Sequence, residues 1–214
     1  ARAAAARLEH LLGLHRKDTG GIPATVRGSV VHAWMEAVEW LEGDYPTEDE
    51  RRSMVRREAQ ELSLADQAAL EREAWDWLQN RLALPEIRDA LSLERAARRW
   101  DDLPGPVDLV VERELPFYLR MGDALVEGII DRLVLVRQAD PDGGEGRVVA
   151  AHVLDYKTDA VAPGDEGRLR ERTEIYAPQL QTYREAVSRL YGVAAERVRL
   201  TLLFLEPGRA VEVE

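Results

Sequence analysis

An acid and a lysine, two residues apart, end an apolar segment near residue 155. The run from Val148 to Leu154 leads directly into Asp155, and Lys157 follows. Alternate residues of a β-strand share a face, so the carboxylate and the ammonium are expected to point the same way. Charges at the end of an apolar strand cost free energy unless they are paired or used. The pair is therefore a candidate for chemistry, with a strand-end ion pair as the alternative interpretation.

Lysine is rare in this chain, which singles out Lys157. The sequence has 29 Lys plus Arg residues, but only Lys17 and Lys157 are lysines. A compact, movable ammonium suits positions where the planar guanidinium of arginine would not serve. We therefore expect a chemical role for Lys157.

A second acid interrupts another apolar strand, which runs from Leu125 to Leu135. If the hairpin register places Asp131 beside Asp155, the two carboxylates repel each other unless a cation lies between them. Oxygen ligands in a chain without cysteine favour Mg²⁺ or Mn²⁺. The alternatives for Asp131 are an ion pair with Arg132 and an outward-facing side chain.

One face of a predicted C-terminal helix carries two polar side chains among apolar ones. Gln179 and Tyr183 could orient a carboxylate, a water or a phosphate, and a plain amphipathic helix is the alternative. Spacings of three and four residues define this face: Tyr176, Gln179, Leu180, Tyr183, Val187 and Leu190.

Composition limits the class of protein. The 214 residues suffice for one domain, and the net charge of −11 argues against an isolated nucleic-acid binder. Clusters of arginine are interleaved with acids, so we interpret them as solvated helix faces. The absence of cysteine excludes disulfides, cysteine-ligated zinc and iron–sulfur clusters.

The termini and hydropathy give two further expectations. The sequence begins Ala-Arg-Ala without an initiator Met, so we expect a piece of a longer protein. No apolar run is long enough to span a bilayer and no secretory signal is visible, so a cytoplasmic location is expected.

Helical periodicity dominates the first half of the chain. A second predicted helix, after one at 1–17, begins at Ser29 as its N-cap and carries His32 in its first turn, next to Glu36. Trp75 and Trp77 are interpreted as core residues. The predicted helices up to residue 101 are 1–17, 29–41 and, in a helical insertion at about 46–101, 48–61, 64–82 and 86–100.

From residue 107 the pattern is that of β-strands. Turn residues at 121–123 and 138–146 separate three segments, as in an antiparallel meander. The polar segment 158–173 is predicted as a mobile loop, followed by a helix at 177–191 that ends before Gly192. The predicted fold class is α+β, with strands at 107–120, 124–137, 147–156, 198–205 and 210–213.

Short motifs in this chain resemble those of the PD-(D/E)xK nuclease superfamily. Asp131 followed by Asp155-Tyr156-Lys157 is the superfamily pattern. The chain is most similar to the RecB-like branch, as found at the C-terminus of UvrD-like helicase–nucleases of the AddA and RecB type. That branch shows Gly-Ser/Thr-x-x-His on a helix, matched by Gly28 to His32, and Gly-x-x-Asp on a strand, matched by Gly128 to Asp131.

Two more motifs of the branch follow in order. Asp155 to Thr158 matches its Asp-Tyr-Lys-Thr strand, and Gln179 to Tyr183 matches its Gln-x-x-x-Tyr helix, with Tyr176 ahead of it. The resemblance implies a restriction-endonuclease-like core of a helix, three strands, a helix and a strand. That core covers about 28–45 and 105–214, within a single nuclease domain spanning 1–214.

The resemblance also implies a metal site and roles for single residues. His32, Asp131, Asp155 and the backbone carbonyl of Tyr156 would hold Mg²⁺ or Mn²⁺. Without the resemblance, His32 is read as a structural first-turn histidine. Lys157 would position or help deprotonate the attacking water and stabilise charge on the phosphate.

The helix motif completes the implied catalytic set. Gln179 and Tyr183 would brace the site, and they would contact DNA together with Tyr176. Glu114 precedes Leu115-Pro116-Phe117, a context also seen in relatives, but we assign it no metal role.

The implied function is metal-dependent hydrolysis of DNA. The expected activity is that of a single-stranded DNA exonuclease within an ATP-dependent helicase–nuclease of double-strand-break repair and recombination. The absence of cysteine excludes the iron–sulfur branches, and the acidic balance suggests that helicase domains deliver the strand. Implied partners are DNA, the rest of a helicase chain and an AddB-like subunit. The alternatives are an inactivated fold serving as a DNA-binding or scaffold module, and a free-standing repair exonuclease.

Overall fold

The computed structural model describes residues 22–138 and 146–214, apart from the side chain of Ala124. The predicted helix at 1–17 and the predicted turn at 141–144 lie outside the described residues. Within these residues the chain forms two compact units, one of 22–38 and 45–80 and one of 39–44 and 81–214. The single domain spanning 1–214 stays a prediction. Among the described residues, no helix is long and apolar enough to cross a membrane.

The first unit is helical. It contains α1 (Ala24–Ala37), α2 (Glu48–Glu58) and most of α3 (Leu64–Leu82). The rings of Trp34 and Trp75 meet edge to face at 5.5 Å, in agreement with the interpretation of Trp75 as a core residue.

The start of α1 differs from the prediction. Ser29 was expected as the N-cap, but the helix begins five residues earlier. The carbonyl of Pro23 accepts the amides of Val26 and Arg27 at 3.1 and 3.2 Å, and proline immediately before the first turn has no amide to leave unsatisfied. Ser29 therefore lies inside the helix, where it is exposed.

The second unit is built on one mixed sheet. The strands are β1 (Val107–Met121), β2 (Ala124–Gln138), β3 (Arg147–Lys157), β4 (Val198–Phe204) and β5 (Arg209–Val213). They lie side by side in sequence order, and only β3 and β4 pair in parallel. The α+β class and the antiparallel meander are confirmed, and the architecture is consistent with a restriction-endonuclease-like fold.

The helix predicted at 86–100 is two helices. They are α4 (Pro85–Leu91) and α5 (Leu93–Arg98). Ser92 separates them, because its hydroxyl accepts the amide of Arg95 at 3.4 Å as an N-cap and donates to Glu42 at 2.5 Å. Helical periodicity alone does not reveal this interruption.

The last helix is longer than predicted. We expected a mobile loop at 158–173, but α6 (Glu166–Tyr191) begins eight residues before the end of that segment. Asp165 caps it, since its carboxylate accepts the amide of Arg168 at 3.0 Å. The helix ends at Gly192, whose φ of 67° is a left-handed conformation that glycine adopts readily, in agreement with the predicted end.

The two faces of the sheet differ in character. On β3, Asp155 and Lys157 point towards α6, whereas His152 lies on the opposite face. There, His152 contacts Arg99 at 3.2 Å and Thr201 at 2.7 Å. Burial, aided by nearby arginines, lowers the pKa of His152 well below its usual value, so this histidine packs in its neutral form. The opposite face therefore supports the sheet, and the chemistry lies on the α6 face.

Candidate active site

Asp131 lies where the pairing of β2 with β3 ends. The last paired residues are Arg132 and Leu154, so continuing the register by one residue places Asp131 opposite Asp155. A carboxylate oxygen of Asp131 accepts the amide of Tyr156 at 2.7 Å. The structure thus brings the two predicted acids to the same end of the sheet.

Arg132 points away from this end. It is buried, donates to the carbonyl oxygen of Glu39, and lies over the ring of Trp40 at 4.7 Å from the ring centroid. Neighbouring residues on a strand face opposite sides of the sheet. The described contacts of Arg132 therefore do not depend on Asp131, the partner that the alternative interpretation proposed for it.

Lys157 and Asp155 form an ion pair at the end of β3. Nζ of Lys157 lies 2.6 Å from Oδ2 of Asp155, and their side chains are 13% and 2% exposed. The ion pair expected as the alternative is thus present. The same ammonium also donates to Oε1 of Gln179 at 3.3 Å and lies 4.0 Å from the ring centroid of Tyr176. Lys157 is consequently held between two elements, β3 and α6.

Gln179 links Lys157 to Tyr183. Its side-chain nitrogen donates to the hydroxyl of Tyr183 at 2.5 Å, while its oxygen accepts from Lys157. The ring of Tyr183 meets that of Phe117 on β1 edge to face, with centroids 5.6 Å apart. The predicted helix face is therefore directed at the site, and its polar members are joined to one another.

The tyrosines of this face are buried. Tyr183 is 5% exposed and Tyr176 is 9% exposed. The hydroxyl of Tyr176 donates to both carboxylate oxygens of Asp159, at 3.0 and 2.9 Å. The expected contacts of these tyrosines and of Gln179 with DNA stay predictions.

The carboxylates of the site create a strong local demand for positive charge. Burial raises the pKa of Asp131 to about 6, against the opposing effects of the Tyr156 amide and Lys157. Burial also raises the pKa of Tyr183, and the charges of Asp155, Asp131 and Glu114 raise it further. Three carboxylates therefore act on one phenol, which shows that they converge on a small volume.

Glu114 is the acid that sequence analysis left out. A carboxylate oxygen of Glu114 lies within 4.8 Å of one of Asp131. The β1–β2 register places the two residues opposite each other, between the pairs Arg113–Arg132 and Leu115–Ile130. Glu114 has a φ of 48°, which a non-glycine residue adopts only at a cost. Such strain cannot be read from the sequence, whereas the glutamate before Leu115-Pro116-Phe117 was an available signal.

The other two predicted metal ligands lie in different parts of the chain. His32 is on α1 of the first unit and is half-buried. Tyr156 is on β3 of the second unit, with its side chain buried and its amide bonded to Asp131. Burial raises the pKa of the Tyr156 phenol to about 12, so it stays protonated near neutral pH.

The donor set of the second unit fits a divalent cation. Asp131, Asp155 and Glu114 offer carboxylate oxygens, the ligands that hard cations such as Mg²⁺ and Mn²⁺ prefer. Two of these acids approach within 4.8 Å, and the pKa of Asp131 is raised by burial. A bound cation would offset both the mutual repulsion and the cost of ionising Asp131.

Gly128 gives the site its packing against β1. A Cβ at this position would lie 2.7 Å from Cε1 and 2.8 Å from Cζ of Phe117, its cross-strand partner. It would also lie 3.5 Å from Tyr183. The absence of a side chain therefore lets the ring of Phe117 cover the strand and support Tyr183.

Gly128→Ala is expected to destabilise the protein by about 1–3 kcal/mol, because the added methyl group displaces the buried ring of Phe117. Movement of Phe117 also shifts Tyr183, so nucleolytic activity should fall. Urea unfolding measures the first effect and a cleavage assay the second. Gly167→Ala, at the start of α6, is the matched control, since its Cβ would have only an ordinary contact at 3.7 Å. Equal stability of the two variants would contradict this account of Gly128.

The fold and the site together define a class of protein. A mixed sheet that presents an acid on one strand and an acid–x–lysine on the next is the arrangement of a phosphodiesterase core. A family model described as "PD-(D/E)XK nuclease superfamily" matches residues 3–214, and the chain belongs to this superfamily. No curated protein matches the chain. Membership implies a nuclease, and nucleases of this superfamily usually use divalent metals.

Proposed function

We propose that this protein is a metal-dependent DNA nuclease whose reaction takes place at Asp131, Asp155 and Lys157. The observation that carries the proposal is the convergence of these side chains at the ends of β2 and β3, with Gln179 of α6 joined to Lys157. An acid and an acid–x–lysine at this point match the pattern after which the superfamily is named.

Asp131 and Asp155 are proposed to hold Mg²⁺ or Mn²⁺, together with His32 and the backbone carbonyl of Tyr156. Glu114 joins this set because of its distance from Asp131. When bound, the cation would acidify a water and offset negative charge on the phosphate. Histidine among the ligands favours Mn²⁺ as the alternative to Mg²⁺.

Lys157 is proposed to orient the attacking water and stabilise the phosphate. An ammonium has three donors, and two of those of Lys157 go to Asp155 and Gln179. The third is available for a phosphate oxygen or a water. Gln179 and Tyr183 brace the lysine, since the amide of Gln179 bonds both. Their contact with DNA, and that of Tyr176, belongs to the same proposal.

The finer setting rests on the four motifs that resemble the RecB-like branch. We infer an exonuclease on single-stranded DNA, in the cytoplasm, that acts in double-strand-break repair as part of a helicase–nuclease. A helicase chain and an AddB-like subunit are the proposed partners. The net charge of −11 supports delivery of the strand by other domains, because an acidic protein attracts DNA poorly.

A cleavage assay tests the proposed activity. End-labelled single-stranded DNA, duplex DNA and RNA are incubated with Mg²⁺, Mn²⁺ or EDTA. We expect degradation of single-stranded DNA with either metal and none with EDTA. Asp155→Asn should be inactive, whereas Asp108→Asn, an exposed acid on β1, should match the wild type. Preferential cleavage of RNA, or full activity in EDTA, would contradict the proposal. DNA binding without cleavage would favour the scaffold alternative.

A further inference from the structure

The ammonium of Lys157 lies against a tyrosine that the proposed reaction does not use. Nζ is 4.0 Å from the ring centroid of Tyr176, close enough for a cation–π interaction. The ring comes from α6, while Asp155 lies on β3. The tyrosine therefore adds a second side to the surroundings of the lysine.

Tyr176 is itself fixed in place. Its hydroxyl donates to both carboxylate oxygens of Asp159, at 3.0 and 2.9 Å. Asp159 lies two residues beyond Lys157 and is only 14% exposed, with Nε of Arg172 3.8 Å from its Oδ1. The ring of Tyr176 also packs against Phe204 of β4 at 6.4 Å. These contacts hold the ring at one orientation relative to the end of β3.

We propose that Tyr176 and Asp159 are positioning residues for Lys157. A lysine side chain is flexible and loses rotamer freedom only when several contacts define its position. Asp155, Gln179 and the ring of Tyr176 supply three such contacts. Donation of the phenol proton towards Asp159 also makes the ring richer in electrons, which strengthens its attraction for the ammonium.

This inference rests on the proposed function and assigns Tyr176 a role different from contact with DNA. The phenol oxygen is engaged by Asp159, and the residue is 9% exposed, so little of it is left for a DNA strand. The side of the ring facing Lys157 is covered by the ammonium. A role through Lys157 therefore uses the surface that the tyrosine presents inside the protein.

A spectroscopic test does not depend on activity. Because Lys17 and Lys157 are the only lysines of the chain, ¹³C-labelled lysine gives two sets of side-chain signals. Lys157→Arg identifies the signals of Lys157. Protons above an aromatic ring shift upfield, so the ε-protons of Lys157 should resonate upfield in the wild type. They should return towards the free-lysine position in Tyr176→Leu.

Three variants complete this experiment. Tyr176→Phe keeps the ring and loses the bond to Asp159, so the upfield shift should shrink without vanishing. Asp159→Asn keeps an acceptor and should have a smaller effect. Tyr191→Leu is the control, since it lies on the same helix about 22 Å away along the axis and should leave the signals unchanged. Unshifted Lys157 signals in the folded wild type would overturn the proposal, whether or not Tyr176→Leu folds.

Kinetics then separate positioning from DNA contact. We expect Tyr176→Leu to lower kcat by about 10- to 100-fold with little change in KM, because a misplaced catalytic group costs about this much. In a Lys157→Met background the same change should have no further effect on kcat. An increase in KM that persists in that background would overturn the proposal and favour DNA contact. If the wild type cleaves nothing, the proposed function fails, while the spectroscopic result still decides whether Tyr176 holds Lys157.

Discussion

Lys157→Met is expected to lower the rate of DNA cleavage by about 10²–10⁴-fold, the usual contribution of a residue that handles a proton in the transition state. The variant should nevertheless bind Mn²⁺ at least as tightly as the wild type. In the structure, the ammonium lies 2.6 Å from Oδ2 of Asp155 and so competes with a metal for that oxygen. Methionine keeps the apolar stem of the side chain and removes the charge. Single-turnover cleavage and calorimetry with Mn²⁺ measure the two effects.

Asp155→Asn is the matched comparison for this prediction. It should lose both Mn²⁺ binding and cleavage, because an amide is a poor substitute for a carboxylate ligand. Lys157→Arg should also be impaired, since a planar guanidinium cannot occupy the place of a compact ammonium between Asp155 and Gln179. Loss of Mn²⁺ binding in Lys157→Met, or normal cleavage by it, would contradict the role given to this lysine.

Asp131→Asn is expected to abolish metal-dependent cleavage while stabilising the metal-free protein above pH 6. Burial raises the pKa of Asp131 to about 6 from an ordinary value of 3.8. A carboxyl with a raised pKa contributes stability that is present below pH 3.8 and lost as the pH rises through about 6. Asparagine avoids this loss and keeps an oxygen for the Tyr156 amide. The gain in the free energy of unfolding should be about 1–3 kcal/mol at pH 8.

Urea unfolding in EDTA at several pH values measures this gain. The difference between the variant and the wild type should narrow as the pH falls from 6 towards 4. Addition of Mn²⁺ should stabilise the wild type and leave Asp131→Asn unchanged, because ligands stabilise only the form that binds them. A variant less stable than the wild type at pH 8 would show that the Asp131 carboxylate is not held at a cost.

The strands and the principal acids could be predicted from the sequence. Alternating and apolar segments separated by turn residues define β1 to β3, and the acids stand out because they interrupt apolar runs. Asp131 and Asp155 were expected at one sheet end, and the register of β2 and β3 brings them there. The family pattern rests on the same residues, and a family model covers residues 3–214.

Other features depend on contacts between distant residues. Glu114 was left out because its approach to Asp131 needs both the β1–β2 register and a strained φ of 48°. The first turns of α6 were taken for a loop because polar residues hide a helix that Asp165 caps. The link from Lys157 to Asp159 through Tyr176 joins the end of β3 to a helix. No local pattern encodes such contacts.

The central claim is that the acids at the ends of β2 and β3 hold the metal of a nuclease. A crystal structure of the protein soaked in Mn²⁺, with anomalous diffraction data, tests it most directly. We expect a strong anomalous peak within coordination distance of Asp131 and Asp155, and the map also shows whether Glu114 and His32 join them. The peak should be lost in Asp155→Asn. No peak at saturating Mn²⁺, or a peak only at acids elsewhere on the surface, would contradict the claim.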